Sequence, residues 1–366
     1  MIIKNIKLHN FRNYTDCSVQ LAENINVFIG DNAQGKTNFL ESVAFISTTR
    51  SFRTNDDKAM INNLKEKSAV IVTIIDNDSK LKLTGQLFKE GKRLLIQSQA
   101  VKKSSEFIGI LNAVVFSPDD LELFNGAPRL RRRMCDLEIG KINKEYMGYL
   151  NDYQKTLKER NNFLKSSSND DIYLDVITQQ LIEYQIPIIK YRRKFIEFMN
   201  SVITKRYQEI AVSDEEIFVE YLSPIDGEED IREALKQRYL KSTVSDKNQR
   251  QTQVGIHKDD LKFYLNGNGI GDFASQGQKR MLVLALKVVL IDYIYKQCKK
   301  YPVLLLDDVL SELDITRRRS LFALIPKEVQ TIITTTDIKD IQSFLPKGSR
   351  IFKINDGMII ENKEMI

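Results

Sequence analysis

Gly30-Asp31-Asn32-Ala33-Gln34-Gly35-Lys36-Thr37 has the residue types and the spacing to hold a triphosphate. Its glycines let the backbone curl so that N–H groups face phosphate oxygens. Lys36 adds positive charge for the β/γ-phosphates, and the Thr37 hydroxyl suits Mg2+. The competing reading is an ordinary Gly-containing turn between strand and helix. A second candidate is the apolar run Val303-Leu304-Leu305-Leu306 ending in Asp307 and Asp308. A P-loop protein needs a carboxylate for Mg2+ at such a strand end, and Asp307 supplies one. The third is Ser275-Gln276-Gly277-Gln278, at the start of a long amphipathic helix, where a serine caps free N–H groups and anions are attracted. Alone it is a helix cap and little more. Two basic clusters complete the set: Arg129, Arg131, Arg132 and Arg133, then Lys190, Arg192, Arg193 and Lys194. Contact with nucleic-acid phosphates is one reading of them, a solvated helix face the other.

The elements that must position these groups follow from periodicity. An apolar strand at 25–29 leads into the loop, and a helix at 37–46 leaves it. Short strands are expected at 2–8, 17–21, 69–75, 81–88, 93–97 and 113–116, as an antiparallel sheet packed beside the nucleotide unit. Residues 51–54, Ser-Phe-Arg-Thr, read alone as a solvated loop. From about Pro118 the pattern is helical. Tyr146, Leu150, Tyr153, Leu157 and Leu164 form a stripe interrupted by Arg160. Leu181, Tyr184, Ile188, Tyr191, Phe195, Phe198 and Val202 keep a 3-4-3-4 spacing. A polar tip at 165–171 joins the two as an antiparallel hairpin, with Pro187 expected to kink or split the second helix. A helix at 229–241 lies within a polar link, 222–254. Further strands are expected at 303–308, 330–334, 350–354 and 358–361.

Composition bounds the class. The chain has 366 residues, 42% hydrophobic and 28% charged, with net charge +6: enough for a proper core, and basic enough to permit a polyanionic partner. Three isolated cysteines and two histidines offer no metal spacing. No apolar run reaches the roughly 20 residues of a membrane span, and the start reads directly as strand, so a cytoplasmic chain with no membrane partner is expected.

The order of parts resembles the ATP-binding cassette class: S-x-G-Q before the acidic strand, and Ser311-Glu312-Leu313-Asp314 after it. In that class a composite site forms when the P-loop of one protomer meets the S-x-G-Q helix of another across ATP. Here loop and signature lie about 240 residues apart, the plan of chromosome-maintenance and repair ATPases. More closely, residues 3–14 (Ile-Lys-Asn-Ile-Lys-Leu-His-Asn-Phe-Arg-Asn-Tyr), 51–54, 115–121, 126–136, 158–161 (Lys-Glu-Arg-Asn), 255–261 (Gly-Ile-His-Lys-Asp-Asp-Leu) and 275–280 resemble the RecF family of bacterial recombination and gap-repair proteins. The blocks span nearly the whole chain in family order.

That resemblance implies an α/β fold, an ABC-type ATPase head with a P-loop mixed sheet plus an antiparallel β subdomain. An inserted α-helical domain contains a short antiparallel coiled-coil-like hairpin. The head comprises 1–117 with 255–366, and the insertion 118–254. Gly30, Asn32, Gly35, Lys36, Thr37 and Asn38 would hold the phosphates of ATP and Mg2+, with Arg12 near the nucleotide. Asp307 would serve Mg2+, and Asp308 would polarise the attacking water. Ser275, Gln276, Gly277 and Gln278 would reach the partner's ATP, and Asp314 would belong to the dimer seam. The function implied is a homodimer clamped by ATP on double-stranded and gapped DNA, weakly hydrolytic and DNA-stimulated. RecR, RecO and the recombinase are the implied partners. The family's Gly-Pro-His-Arg-Asp-Asp is altered at 256 and 258, and Thr334-Thr335-Thr336 stands where a switch histidine is common. Residues 116–120 lack the glutamine of a Q-loop. Asp308 in place of a glutamate implies slow turnover. The competing classes are a membrane-transporter ATPase subunit and an ATP-dependent nuclease of related head fold. The loop-to-signature distance disfavours the first, and the short chain after Asp314 the second.

Overall fold

The computed structural model describes residues 1–77, 79–166, 170–225 and 227–361. The chain divides into two compact units: 1–120 with 206–213 and 280–366, and 121–205 with 214–279.

In the first unit the P-loop strand (Ile25–Ile29) lies inside a six-stranded sheet. Its parallel neighbours are Arg350–Asn355 on one side and Thr331–Thr335 on the other. Beyond Thr331–Thr335 come the acidic strand (Val303–Asp307) and Ala113–Phe116, also parallel, so 113–116 belongs to this sheet and not to the antiparallel one expected for it, while Met358–Glu361 closes the far edge antiparallel. A second, antiparallel sheet has the order Tyr14–Gln20, Ile2–Phe11, Lys67–Asp76, Ser79–Phe88, Gly91–Ile96, Gln99–Ala100. The P-loop helix (Lys36–Thr48) shares one apolar core with both sheets. Its Phe39, Leu40, Val43 and Phe45 are fully buried, in a cluster with Ile6, Val70 and Leu83 of one sheet and Leu305, Ile332 and Phe352 of the other. A helix covered on every side must be apolar all round, which accounts for the run Phe-Leu-Glu-Ser-Val-Ala-Phe-Ile having only two polar members.

The second unit is not purely helical. Ile217–Leu222, Asp260–Leu265 and Asn268–Gly269 form a three-stranded antiparallel sheet that corrects the expected all-helical insertion. Both longer strands alternate buried and open residues, the period of two of a sheet with one face covered. Because Asp260–Leu265 pairs with Ile217–Leu222, residues up to 279 cluster with this unit, although 254/255 was the expected division. Its long helices are Pro128–Ile142, Lys144–Lys165, Asp171–Ala211, whose end from 206 clusters with the first unit, and Ile231–Gln249, the last extending well past 241. The centre of the expected hairpin tip, 167–169, lies outside the described residues. Asp171–Ala211 runs unbroken through Pro187, so that expected split does not occur. Past the hairpin, its Asn200 and Thr204 hydrogen-bond the backbone of Val219 and Ile217, satisfying the free edge of the sheet.

The buried face of this long helix is wider than the aromatic stripe: Leu181, Ile188 and Phe195 of that stripe are fully buried, and the row one residue further on is buried as well. Ile182, Gln185, Ile189, Arg192, Ile196, Met199 and Ile203 are buried, while Tyr184, Tyr191 and Phe198 are only partly so. Two polar residues in that row disguise it. Gln185 donates to Leu181 O (3.0 Å) and Tyr239 Oη (2.9 Å) and accepts from Ile256 N (3.2 Å). Arg160, read as an interruption of its own helix stripe, is likewise internal. It pairs with Asp246 at 2.8 Å, donates to Thr252 Oγ1 and Thr178 Oγ1, and stacks over Tyr239. Arg160→Leu would leave Asp246 buried without its counter-charge. The expected loss is about 3–5 kcal/mol of the unit's stability, measurable by urea denaturation.

Candidate functional site

The P-loop is shaped by its own left-handed residues and held by two distant segments. Ala33 has φ 66° and Gly35 φ 115°, so the chain coils inward around Gln34 before the helix begins. A Cβ at Gly35 would stand 2.7 Å from the Asn13 amide, so only glycine fits. Asn13 donates to Gln34 O (2.9 Å) and accepts from Asn38 (2.8 Å), and Tyr14 Oη donates to Gly35 O (2.9 Å). From the C-terminal hairpin, Asp356 N and Gly357 N donate to Gln34 Oε1 (2.6 Å) and Gln34 O (3.2 Å). The loop tip, Asp31 to Ala33, is exposed.

Lys36 lies in the loop's interior, its ammonium donating to Gly30 O and, at 3.1 Å, to Asp31 O. Burial lowers its pKa, while Asp308, Asp307 and Asp31 oppose the shift. Thr37 Oγ1 donates to Asp307 Oδ1 at 2.9 Å, so the two groups expected at Mg2+ meet across 270 residues of sequence. Burial raises the Asp307 pKa, against hydrogen bonds from Thr334 and Thr37 and the charge of Arg53. A buried carboxylate bonded only by hydroxyls, beside a second hydroxyl oxygen, fits a hard cation that keeps phosphate oxygens as its remaining ligands. Asp308 has φ 52°, and its buried Oδ1 has no hydrogen-bond partner among the described residues.

Arg12, expected beside the nucleotide, is taken up by Glu41. Nε and NH2 donate to the two carboxylate oxygens at 2.8 and 2.7 Å, and NH1 donates to Ala59 O. Glu41 has no exposed surface, and Ser51 Oγ donates to it as well. Arg53 lies in the segment 51–54 that reads alone as a solvated loop. Its guanidinium donates to Asn38 Oδ1 at 2.8 Å and its charge acts on Asp307, so it is a cation at this site. In sequence it is marked by its place, a basic residue shortly after the P-loop helix.

The signature Ser275–Gln278 belongs to the second unit. Ser275 and Gln278 form a reciprocal capping box, Gln278 N donating to Ser275 Oγ (3.2 Å) and Ser275 N to Gln278 Oε1 (2.8 Å). Ser275, Gln276 and Gly277 are exposed. A Cβ at Gly277 would meet only Ser275 Oγ, at 3.9 Å, so the fold of this chain places no demand for glycine there. Asp314 caps the helix Ile315–Leu324, and the Arg317 backbone N–H it accepts lowers its pKa.

The basic clusters are corrected by their burial. Arg192 is 1% exposed and bonds Asp136 (2.8 Å), Asp259 (3.1 Å) and Ile256 O. Arg131 is 8% exposed, bidentate to Asp260 at 2.7 and 2.9 Å. Arg132 donates to Asp259 O, and Arg193 to Ile225 O. Arg133 is half-buried, whereas Arg129, Lys190 and Lys194 are exposed. The residues Asp259 and Asp260 of the 255–261 block are therefore counter-charges inside the second unit. Its His257 sits between Tyr153 Oη (2.5 Å) and Thr252 O (3.2 Å), and burial lowers its pKa to about 4.

A family model described as RecF/RecN/SMC N terminal domain matches residues 2–359. The DNA replication and repair protein RecF of Streptococcus agalactiae serotype V is 39% identical, over 100% of this chain and 99% of its own. That of Clostridium tetani is 40% identical, over 99% of this chain and 100% of its own. A solved structure of the recombination mediator protein RecF-ATP in the RecFOR pathway matches with a TM-score of 0.92 at 33% identity, covering 99% of this chain and 97% of that one. An Smc head bound to the C-winged helix domain of ScpA (TM-score 0.59, 14% identity, 99% and 98% covered) shares the fold. Among the described residues, no helix is long and apolar enough to cross a membrane.

His257 titrates lower in the folded chain than its ordinary value of 6.5. Between those values the unfolded chain binds the extra proton, so stability falls as pH drops through the window. From pH 7 to pH 5 the wild-type chain is expected to lose about 2 kcal/mol more than His257→Gln, read by urea denaturation at each pH.

Proposed function

The chain belongs to the RecF family, and from that premise we propose that it is an ATP-dependent, dimerising DNA clamp of recombinational repair. The observation that carries the reading is the pairing of a complete phosphate loop with an exposed signature whose glycine has no task within its own chain. Gly277 leaves the start of its helix open to close approach by something outside, and an anionic phosphate suits that helix start. The P-loop of one copy and Ser275–Gln278 of another would then enclose one ATP.

Within the site each residue has a stated duty. The inward N–H groups of the loop and Lys36 would bind the phosphates, once the ammonium exchanges its carbonyl partners for the ligand. Thr37 and Asp307 would hold Mg2+, which when bound neutralises charge on the phosphates. Asp308, whose Oδ1 has no hydrogen-bond partner among the described residues, would orient the attacking water and accept its proton. An aspartate is shorter than the usual glutamate, which supports slow hydrolysis that resets the dimer rather than driving a motor. Arg53 would face the same phosphates through Asn38.

Contact with duplex DNA at gaps falls to exposed cations such as Arg129, Lys190 and Lys194, and not to the buried Arg131 and Arg192. RecR, with RecO and the recombinase, are the partners in this proposal, and the cytoplasm its location.

Gel filtration with ATP, with and without duplex DNA, tests it. Lys36→Ala is expected to weaken ATP binding on the order of 10–100-fold, because a charge-assisted contact is lost. Ser275→Arg is expected to bind ATP as the wild type does but to stay monomeric. A Ser275→Arg protein that dimerises normally would falsify the composite site, and an absence of salt-sensitive DNA binding would sink the clamp.

A further inference from the structure

Thr334 has no exposed surface and lies in parallel register beside Asp307. Its Oγ1 is 2.9 Å from Asp307 Oδ1, 3.1 Å from Asp308 N and 3.3 Å from Leu306 O. A threonine hydroxyl has one proton to donate and two lone pairs. The proton goes to the nearer, charged acceptor, Asp307 Oδ1, and a lone pair receives the Asp308 N–H. One side chain thus ties the carboxylate of the first aspartate to the backbone of the second.

Both links matter for the site. Thr37 donates to the same Asp307 Oδ1 from the P-loop helix, at 2.9 Å. If Thr37 turns its oxygen to a cation it gives up that bond, and Thr334 is then the remaining hydroxyl donor to Asp307 among the described residues. Asp308 meanwhile has φ 52°, a conformation an L-residue holds only where its surroundings enforce it. Its N–H is fixed by Thr334 Oγ1 and, at 3.3 Å, by Thr334 O.

We propose that Thr334 is a positioning residue of the Mg2+–ATP site, holding Asp307 toward the cation and setting the backbone turn that aims Asp308. The inference rests on the nucleotide-site reading above. Valine has the shape of threonine without either bond, and serine keeps both. The Mg2+ concentration that half-saturates ATP binding, and then single-turnover hydrolysis, are measured for wild type, Thr334→Val and Thr334→Ser. Thr334→Val is expected to raise the Mg2+ requirement about tenfold and to slow hydrolysis at least as much, since a hydrogen bond to a charged group is lost. ATP affinity at saturating Mg2+ should change by less than about threefold, and Thr334→Ser should recover most of both losses. An unchanged Mg2+ requirement in Thr334→Val, or a serine variant as impaired as the valine one, overturns the proposal. The Mg2+ titration needs no turnover, so it decides the matter even if wild type failed to hydrolyse ATP, which would instead overturn the hydrolytic reading. Should Thr334→Val melt below the assay temperature, Thr334→Ala makes the same comparison.

Discussion

A glutamate sits in the middle of a helix that has no side facing water. Glu41 is wholly buried in the P-loop helix, and a buried carboxylate is tolerated only when it is paired and hydrogen-bonded. Arg12 and Ser51 meet that demand, and each is thereby fixed in place. Arg12 lies in the turn that also carries Asn13 and Tyr14, the residues that grip the P-loop from outside. Ser51 opens the segment that sets Arg53 against Asn38. The same buried charge therefore positions the turn before the loop and the segment after its helix.

The second unit solves a similar problem with the signs reversed. Arg160 and Arg192 are internal cations, and Asp246, Asp136 and Asp259 are placed around them from other helices and from the strand Asp260–Leu265 and its approach. Such pairs add little net stability over apolar packing, but losing one partner is costly. They consequently specify which helix faces which. The family blocks 126–136, 158–161 and 255–261 supply much of this network, so their chemistry is that of a polar core.

The candidate site itself is polar at every turn, and its hydroxyls do the joining. Thr37 and Thr334 reach one carboxylate from a helix and from a neighbouring strand, and burial makes each bond worth more than it would be in water. The signature, in contrast, is an exposed helix start with a glycine that nothing in its own chain requires. An open helix start of this kind suits the association with a second copy proposed above.

The sequence by itself determined the phosphate loop, the acidic strand, the signature cap and most of the strands around them, though not how those strands are ordered in the sheets. Each is a local pattern whose chemistry does not depend on what packs against it: Gly35 must curl, Lys36 must be cationic, and Asp307 must end an apolar strand. It also carried the family, through blocks in fixed order. Tertiary structure alone decided which charges face water. Arg131 and Arg192 read as surface cations because a charged residue in a helix usually is one, and the partners that bury them lie 129 and 67 residues away. The same distance hid the polar members of the long helix's buried face, Gln185 and Arg192, which make that face wider than the apolar stripe alone. It also hid the three-stranded sheet, whose strands pair across a helix, and Thr334, whose importance is a distance of 2.9 Å to an atom 27 residues earlier.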